Sequence, residues 1–129
     1  NGATSLWNIE TPERGRGPCH ADPVVIGDAV YEFTGFPMEE KLLRCLSLAD
    51  GKELWTAELG AGWLMPIDGH LLCLGNRGTL VLIKPNPAQF EKVTECAGIT
   101  GKPVWTAPVV AGTMLYLRYK ATVVCYQLK

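Results

Sequence analysis

Short apolar runs separated by turn residues cover most of the chain, and this pattern predicts β-structure throughout. The best-formed case is Leu42 to Trp55 (LLRCLSLADGKELW), in which two apolar runs flank the turn Asp50-Gly51. Asp-Gly between apolar runs is a strong hairpin signal, because Gly accepts the positive φ that such turns need. Helical periodicity is weak everywhere, and the one candidate, Ala88 to Gly98, fits a strand at least as well. The sequence therefore predicts an all-β protein.

The same succession of strands and turns recurs with a period in the low forties. Three sets of landmarks share this register within one residue: Pro23, Pro66 and Pro108; Gly27, Gly69 and Gly112; and Tyr31, Cys73 and Tyr116. A period of this length, with four short strands in each unit, is typical of a β-propeller blade. We therefore expect antiparallel four-stranded blades of a β-propeller.

This register divides the chain into one outer strand and about three blades. The predicted bounds are an outer strand at 5–9 and blades at 23–57, 63–94 and 105–128, the last without its outer strand. Known propellers have about four to eight blades, so three cannot close a ring alone. Two arrangements would complete one. The chain is part of a larger propeller, as its abrupt start without Met favours, or copies join head to tail, with Ser5–Ile9 of one completing the last blade of another.

The hairpin Cys45 to Trp55 resembles the pyrroloquinoline-quinone-type (PQQ-like) propeller repeat of bacterial proteins, whose outer hairpin runs roughly A-L-D-A-x-T-G-x-x-x-W. Gly51 and Trp55 match that pattern directly, and Cys45 takes its first Ala position. The ending WTAPVVAGTMLYLRYKATVVCYQLK is similar to the last blade of such proteins. The resemblance covers nearly the whole chain. It implies blades that are usually exported, which is the only basis for expecting a periplasmic protein.

The resemblance also implies structural roles for the large side chains. Trp55 and Trp7 would pack between neighbouring blades, as the Trp that closes the outer strand does in that family. Trp63 and Trp105 are expected to supply core area, since large aromatic residues mostly do. Arg118, on an otherwise apolar strand, would pair with a carboxylate. Ligand-binding surfaces would be lined by the loops 11–22, 35–41 and 85–89.

Charge and hydropathy exclude two classes of partner. The net charge is −1, and the 12 Lys and Arg residues are scattered, so the chain has no electrostatic footprint for nucleic acid. No apolar run approaches the length of a membrane span. The start NGATSLWNIETPER lacks the basic and apolar regions of a signal peptide, although a signal already removed would leave no trace.

Chemistry-bearing motifs are scarce, and we predict no catalytic, cofactor-binding or metal-binding residue. The five cysteines form no C-x-x-C pair, and Cys45, Cys73 and Cys125 lie in apolar strands, where Cys acts as a small hydrophobe. His20 and His70 belong to no nucleophilic triad that the sequence supports. The predicted function is a non-catalytic scaffold whose partners are further blades, other copies of the chain, or an unknown protein, peptide or carbohydrate.

An alternative is a remnant of a PQQ-dependent quinoprotein dehydrogenase, which the resemblance also permits. Such enzymes typically use two adjacent cysteines, a stacking Trp, and clustered Glu, Asn and Asp residues around calcium. This chain has no adjacent cysteines, and its only paired carboxylates, Glu39-Glu40, are expected in a solvated loop. We therefore expect no enzymatic activity and no cofactor.

Overall fold

β-Strands and turns alone build the described part of the chain, which in this computed structural model comprises residues 2–9, 21–34, 42–60, 62–75 and 77–128. The strands are β1 (Val24–Ile26), β2 (Ala29–Thr34), β3 (Leu42–Ser47), β4 (Glu53–Glu58), β5 (Gly62–Ile67), β6 (His70–Gly75), β7 (Leu80–Lys84), β8 (Glu91–Cys96), β9 (Val109–Ala111), β10 (Met114–Tyr119) and β11 (Thr122–Gln127). The prediction of an all-β protein is confirmed. Within these ranges, no helix has the length and apolarity that crossing a membrane requires.

The strands form three antiparallel sheets, and hydrogen-bonded neighbours are also neighbours in sequence. Sheet 1 has the order β1-β2-β3-β4, sheet 2 the order β5-β6-β7-β8, and sheet 3 the order β9-β10-β11. Hairpins are sufficient to connect antiparallel neighbours, which agrees with the turn signals in the sequence. The described residues establish sheets of three or four strands, and these sheets do not close into a ring.

The turn that joins the first two strands of each sheet has a positive φ at its first position. Gly27 and Gly112 occupy this position in sheets 1 and 3, both with φ 59°. In sheet 2 the position belongs to Asp68, with φ 43°, and Gly69 follows it. Asp is one of the few residues that tolerate this region of the backbone map. The predicted alignment of Gly69 with Gly27 is therefore wrong by one residue.

That shift of one residue changes which side chains are equivalent between the sheets. Because alternate side chains in a strand point to opposite faces, a one-residue error exchanges the two faces. The third residue of β2 is Tyr31, that of β6 is Leu72, and that of β10 is Tyr116. Tyr31 therefore corresponds to Leu72 in sheet 2, and Cys73 points to the opposite side.

Two of the predicted strands differ from the structure. β4 continues to Glu58 and does not end at Trp55, and the loop before it is wider than a two-residue turn, since the N–H of Ser47 donates to the carbonyl of Lys52 at 2.8 Å. Ser5–Ile9, predicted as an outer strand, belongs to no sheet of the described residues. A strand exists only where a neighbour takes its hydrogen bonds, and no described strand lies beside this segment.

The first core lies between sheets 1 and 2. Sheet 1 contributes the side-chain row of Tyr31, Phe33 and Cys45, and sheet 2 contributes the row that includes Cys73 and Ile83. All of these side chains are buried. Cys45 and Cys73 thus fill apolar space, as predicted, and burial raises the pKa of the Cys73 thiol to about 12.

The second core lies between sheets 2 and 3. Leu72 and Leu74 on the other side of sheet 2 pack with Leu115 and Leu117 of sheet 3, and Val104 joins them. Sheet 2 is therefore covered on both sides, and it separates sheet 1 from sheet 3. We call the side of each sheet that carries Tyr31, Leu72 or Tyr116 its front face, and the opposite side its back face. In both cores the front face of one sheet packs on the back face of the next.

Because the phenol of Tyr31 is buried, the stability of the fold should depend on pH in the alkaline range. Burial, and to a smaller extent the neighbouring Cys45, raises the pKa of Tyr31 to about 12. The unfolded chain has the lower pKa and therefore loses the proton first, so the stability that Tyr31 contributes should decline as the pH rises from about 10 to about 12. Urea unfolding as a function of pH checks this. Tyr31→Phe should show a shallower decline over the same interval, and an equal decline would contradict the assignment.

Candidate interaction surface

The front face of sheet 3 is an apolar surface that no described residue covers. Its central members are Val109 on β9, Tyr116 on β10, and Val123 and Cys125 on β11; the register places Val109 and Cys125 on either side of Tyr116. Val109 is 56% exposed and Val123 is 66% exposed. The face is bounded by Arg118, whose side chain is exposed. We call these five residues the sheet 3 front face.

Equivalent positions on the second and third strands of sheet 1 are buried, which shows what such a face looks like when it is covered. Tyr31 lies opposite Cys45 in sheet 1 as Tyr116 lies opposite Cys125 in sheet 3. Tyr31 and Cys45 are 0% exposed beneath sheet 2, whereas Tyr116 is 38% exposed. The same residue pair is thus a core element in one sheet and a surface element in the other. Cys125, predicted to act as a small hydrophobe within an apolar strand, is exposed, because no sheet of the described residues lies over it.

Tyr116 and Cys125 influence each other across this surface. Coulombic interaction with Cys125 raises the pKa of Tyr116 above its ordinary value, and a hydrogen bond between the two side chains acts in the same direction. The Tyr116 phenol therefore keeps its proton at physiological pH. Among the five residues of the sheet 3 front face, Arg118 is the one Lys, Arg, Asp or Glu residue.

The outer edge of sheet 3 is also open. Sheets 1 and 2 each have a fourth strand, β4 or β8, but sheet 3 ends at β11. β11 pairs with β10 on one side, and the described residues place no strand on its other side. A strand edge of this kind presents a row of unpaired N–H and C=O groups, which is a template for a further strand. The open edge adjoins the exposed residues Val123 and Cys125.

In sheet 1, the fourth strand carries the side chain that joins two sheets. Trp55 lies opposite Cys45, its ring centroid is 5.9 Å from that of Tyr31, and it is 5.7 Å from that of Phe90 on the sheet 2 side. Its indole N–H donates to the carbonyl oxygen of Asn86 at 2.8 Å. The prediction that Trp55 packs between neighbouring units is confirmed by these contacts.

The loop 85–89, which accepts the hydrogen bond from Trp55, is predicted to line a ligand-binding surface. In the structure, its hydrogen bonds stabilise the loop itself. Asn86 donates from its side-chain amide to the Glu91 carboxylate at 2.6 Å and accepts from the N–H of Ala88 at 2.8 Å. The hydrogen bond from Asn86, together with that from Gln89, lowers the pKa of Glu91. These hydrogen bonds therefore fix the loop 85–89 in the conformation that accepts the Trp55 indole. The other two predicted binding loops, 11–22 and 35–41, lie almost entirely outside the described residues.

Trp7 makes the same kind of contact with sheet 1 that Trp55 makes with sheet 2. Its indole N–H donates to the carbonyl oxygen of Leu48 at 3.0 Å, in the loop between β3 and β4. A Cβ atom on Gly51 would lie 2.7 Å from the Trp7 ring, so the glycine allows the close approach. Trp7 thus sits against the third-to-fourth-strand loop of the following sheet, as Trp55 does.

The two remaining tryptophans differ in their environments. Trp63 is half-buried and packs against the second core, as predicted. Trp105 is 60% exposed, so the prediction that it supplies core area is wrong. β9 begins only at Val109, and Trp105 therefore lies in the segment that leads to it. The starting residue of a short first strand determines whether a nearby aromatic side chain is buried. A sequence alone does not show that starting residue.

The candidate chemical groups among the described residues form no metal site. The ring of His70 lies with Nδ1 2.9 Å from the carbonyl oxygen of Asp68, in its own turn. In the described ranges, no three residues among His, Cys, Asp and Glu are placed to hold a metal ion. Cys19, His20, Glu39 and Glu40 lie outside those ranges.

Arg118 differs from its predicted role. Its side chain is exposed, and the described residues offer it no ion pair; its backbone carbonyl accepts a hydrogen bond from the Thr106 hydroxyl at 3.1 Å. Among the described residues, a half-buried ion pair joins Glu32 and Arg44, which face each other on β2 and β3.

We expect Arg118→Ala to change the free energy of unfolding by no more than about 0.5 kcal/mol, since exposed side chains without partners contribute little. Urea denaturation followed by tryptophan fluorescence measures this. Arg44→Ala is the matched comparison, and it should cost about 2 kcal/mol because it leaves the Glu32 carboxylate half-buried without its partner. Equal losses for the two variants would show that Arg118 has a structural partner after all.

Comparison with known proteins adds no assignment: no family model and no curated protein matches the sequence.

Proposed function

We propose that this protein is a non-catalytic binding scaffold built from PQQ-like β-propeller blades, and that it binds an extended protein or peptide segment at sheet 3. The observation that carries the proposal is the sheet 3 front face beside the open edge of β11. An apolar surface adjoining an unpaired strand edge is the arrangement that proteins use for β-strand addition, in which the backbone gives affinity and side-chain pockets give specificity.

Front-to-back packing supports the assignment of the sheets as blades. Both cores are formed by the front face of one sheet and the back face of the next. Between sheets 1 and 2, the backbones come closest where β1 and β2 approach β5. First strands that lie together while later strands diverge are typical of blades arranged around an axis. The three sheets would then be consecutive blades of a ring that this chain forms only in part.

Chemistry favours a polypeptide over a carbohydrate at this site. The sheet 3 front face offers two valines and one tyrosine, and the adjoining edge offers backbone donors and acceptors. Sugars are usually bound by polar side chains around an aromatic platform. An extended peptide would satisfy the backbone groups of β11 and bury the valines in one step.

The binding test uses peptides of random sequence displayed on phage and selected on the immobilised chain. The selected peptides, measured by fluorescence anisotropy, should lose roughly tenfold or more in affinity for Val123→Asp, because docking would bury an unpaired charge. Val93→Asp is the matched control, since Val93 is 52% exposed on β8 and far along the chain from sheet 3. Peptides that bind both variants equally would overturn the assignment of the site.

A second arm tests the enzymatic alternative. The purified chain is mixed with pyrroloquinoline quinone and calcium, and the quinone absorbance of the washed protein is recorded. We expect no stoichiometric retention of the quinone. Retention, or alcohol oxidation with an artificial electron acceptor, would replace the scaffold proposal with a quinoprotein dehydrogenase.

A further inference from the structure

We propose that Ser5–Ile9 of a second copy of this chain is the strand that occupies the open edge of β11. The inference rests on the proposed function, since it names the partner for the same site. It commits to a second copy because Trp7 contacts sheet 1 in the way that the fourth-strand residue Trp55 contacts sheet 2, while sheet 3 has three strands among the described residues.

Sequence and contact both identify Ser5–Ile9 with β4. The segment reads SLWNI, and β4 begins ELWTA, so that Leu6-Trp7 corresponds to Leu54-Trp55. The Trp7 indole donates to Leu48, and the Trp55 indole donates to Asn86. Both acceptors lie between the third and fourth strands of the following sheet. Trp7 therefore contacts sheet 1 as Trp55 contacts sheet 2.

The backbone of this segment is available for pairing. Its residues form no backbone–backbone hydrogen bond with the rest of the described chain, and the segment contains no proline. Leu6 is 89% exposed, and only Trp7 is half-buried. A segment in this state can add to a strand edge without first breaking a backbone–backbone hydrogen bond of the described residues.

The repeat fixes the register of the proposed pairing. In sheet 1, Cys45 faces Trp55 and Leu43 faces Ala57. Cys125 and Val123 are the sheet 3 equivalents of Cys45 and Leu43, because Tyr116 faces Cys125 as Tyr31 faces Cys45. Applying the sheet 1 register therefore places Trp7 opposite Cys125 and Ile9 opposite Val123.

That register covers the sheet 3 front face with matching side chains. The row Tyr31, Cys45 and Trp55 of sheet 1 would be repeated as Tyr116 and Cys125 of one copy with Trp7 of the other. Ile9 and Val123, both apolar and both exposed in the single chain, would lie beside each other. Directly opposed residues on neighbouring strands have Cβ atoms about 4.5–5.5 Å apart, so these side chains would be in contact.

The partner segment comes from another copy because, within one chain, the fold keeps Ser5–Ile9 apart from β11. Trp7 is bound to the β3–β4 loop of sheet 1, and β11 belongs to sheet 3. Sheet 2 lies between them and is covered on both sides. The resulting contact is head to tail, which closes into a ring or continues as a filament. Two copies would bring six sheets together, within the range of about four to eight that propellers use.

Disulfide trapping in a mixture of two chains tests the register. One chain carries Trp7→Cys and Cys125→Ser, and the other is the unmodified protein. Under mild oxidation, position 7 of the first chain should form a disulfide with Cys125 of the second, identified by mass spectrometry of the cross-linked peptides. Asn8→Cys with Cys125→Ser is the control, because Asn8 would point to the opposite face and should not be trapped. Equal trapping of both positions would overturn the register.

Solution mass tests the partner without altering Trp7. The unmodified chain should have at least twice the mass of the 14.1 kDa monomer by light scattering. Val123→Asp should weaken association by roughly tenfold or more, and Val93→Asp should leave it unchanged. A folded monomer that still binds selected peptides at β11 would overturn this inference and leave the proposed function standing. A monomer that binds no peptide there would overturn both.

Discussion

Replacing Trp55 with alanine is expected to lower the free energy of unfolding by about 3 kcal/mol, near the lower end of the range for deleting a large buried aromatic side chain. Trp55 is half-buried, and it is packed against Tyr31 within sheet 1 and Phe90 on the sheet 2 side. Its loss would also leave the carbonyl of Asn86 without the indole donor. Urea denaturation followed by far-ultraviolet circular dichroism measures the change, since this signal does not depend on the deleted fluorophore.

Trp105→Ala is the matched control for that experiment. It removes the same indole from a position that is 60% exposed, so the expected change is no more than about 0.5 kcal/mol. Trp55→Phe separates packing from hydrogen bonding, because it keeps a ring and removes the donor; its cost should lie between those of the two alanine variants. If Trp55→Ala and Trp105→Ala both left the free energy of unfolding nearly unchanged, Trp55 would not stabilise the contact between sheets 1 and 2.

Turn chemistry explains why much of this fold could be predicted from the sequence. Turns such as Gly27-Asp28 and Asp68-Gly69 stand between short apolar runs, and the strands lie on either side of them. Among the described residues, sheet 3 has three strands. Such features are local, because a positive φ limits the residue types at a turn wherever the turn lies.

Equivalence between the repeats was harder to predict because it depends on a single residue of register. Asp68 takes the turn position that glycine has in the other two sheets, so aligning the glycines exchanged the faces of sheet 2. The sequence could not reveal this, since Leu71 to Leu74 is apolar on both faces. A strand covered on both sides carries no alternation that marks its register.

The exposure of the sheet 3 front face could not be predicted from the sequence for a different reason. Cys125 and Tyr116 have the same character as the buried pair Cys45 and Tyr31, and only the presence of a covering sheet distinguishes them. Whether Ser5–Ile9 forms a strand depends in the same way on a neighbouring strand, and the described residues do not supply one. Local sequence predicts what an element can do, and long-range packing decides whether it does so.

Gly78→Ala is expected to destabilise the protein by about 3 kcal/mol, because two separate costs combine at this position. Gly78 has φ 80°, which strains any residue with a Cβ atom by about 1 kcal/mol or more. A Cβ atom there would also lie 2.4 Å from the backbone carbonyl oxygen of Thr100. That oxygen belongs to the backbone and cannot rotate away, so the segment around Thr100 would have to move. The carbonyl of Gly78, which accepts from the N–H of Ile99 at 3.0 Å, would move with it.

Gly98→Ala separates these two costs. Gly98 has φ 67°, yet a Cβ atom there would meet nothing within 4 Å, so only the backbone strain of about 1 kcal/mol should appear. The difference between the variants in urea unfolding therefore measures the close approach of the β6–β7 turn to Thr100. Since Ile99 packs against the second core, that approach joins the turn to the interface between sheets 2 and 3. Equal costs for the two variants would show that the β6–β7 turn can move away from Thr100 at little cost.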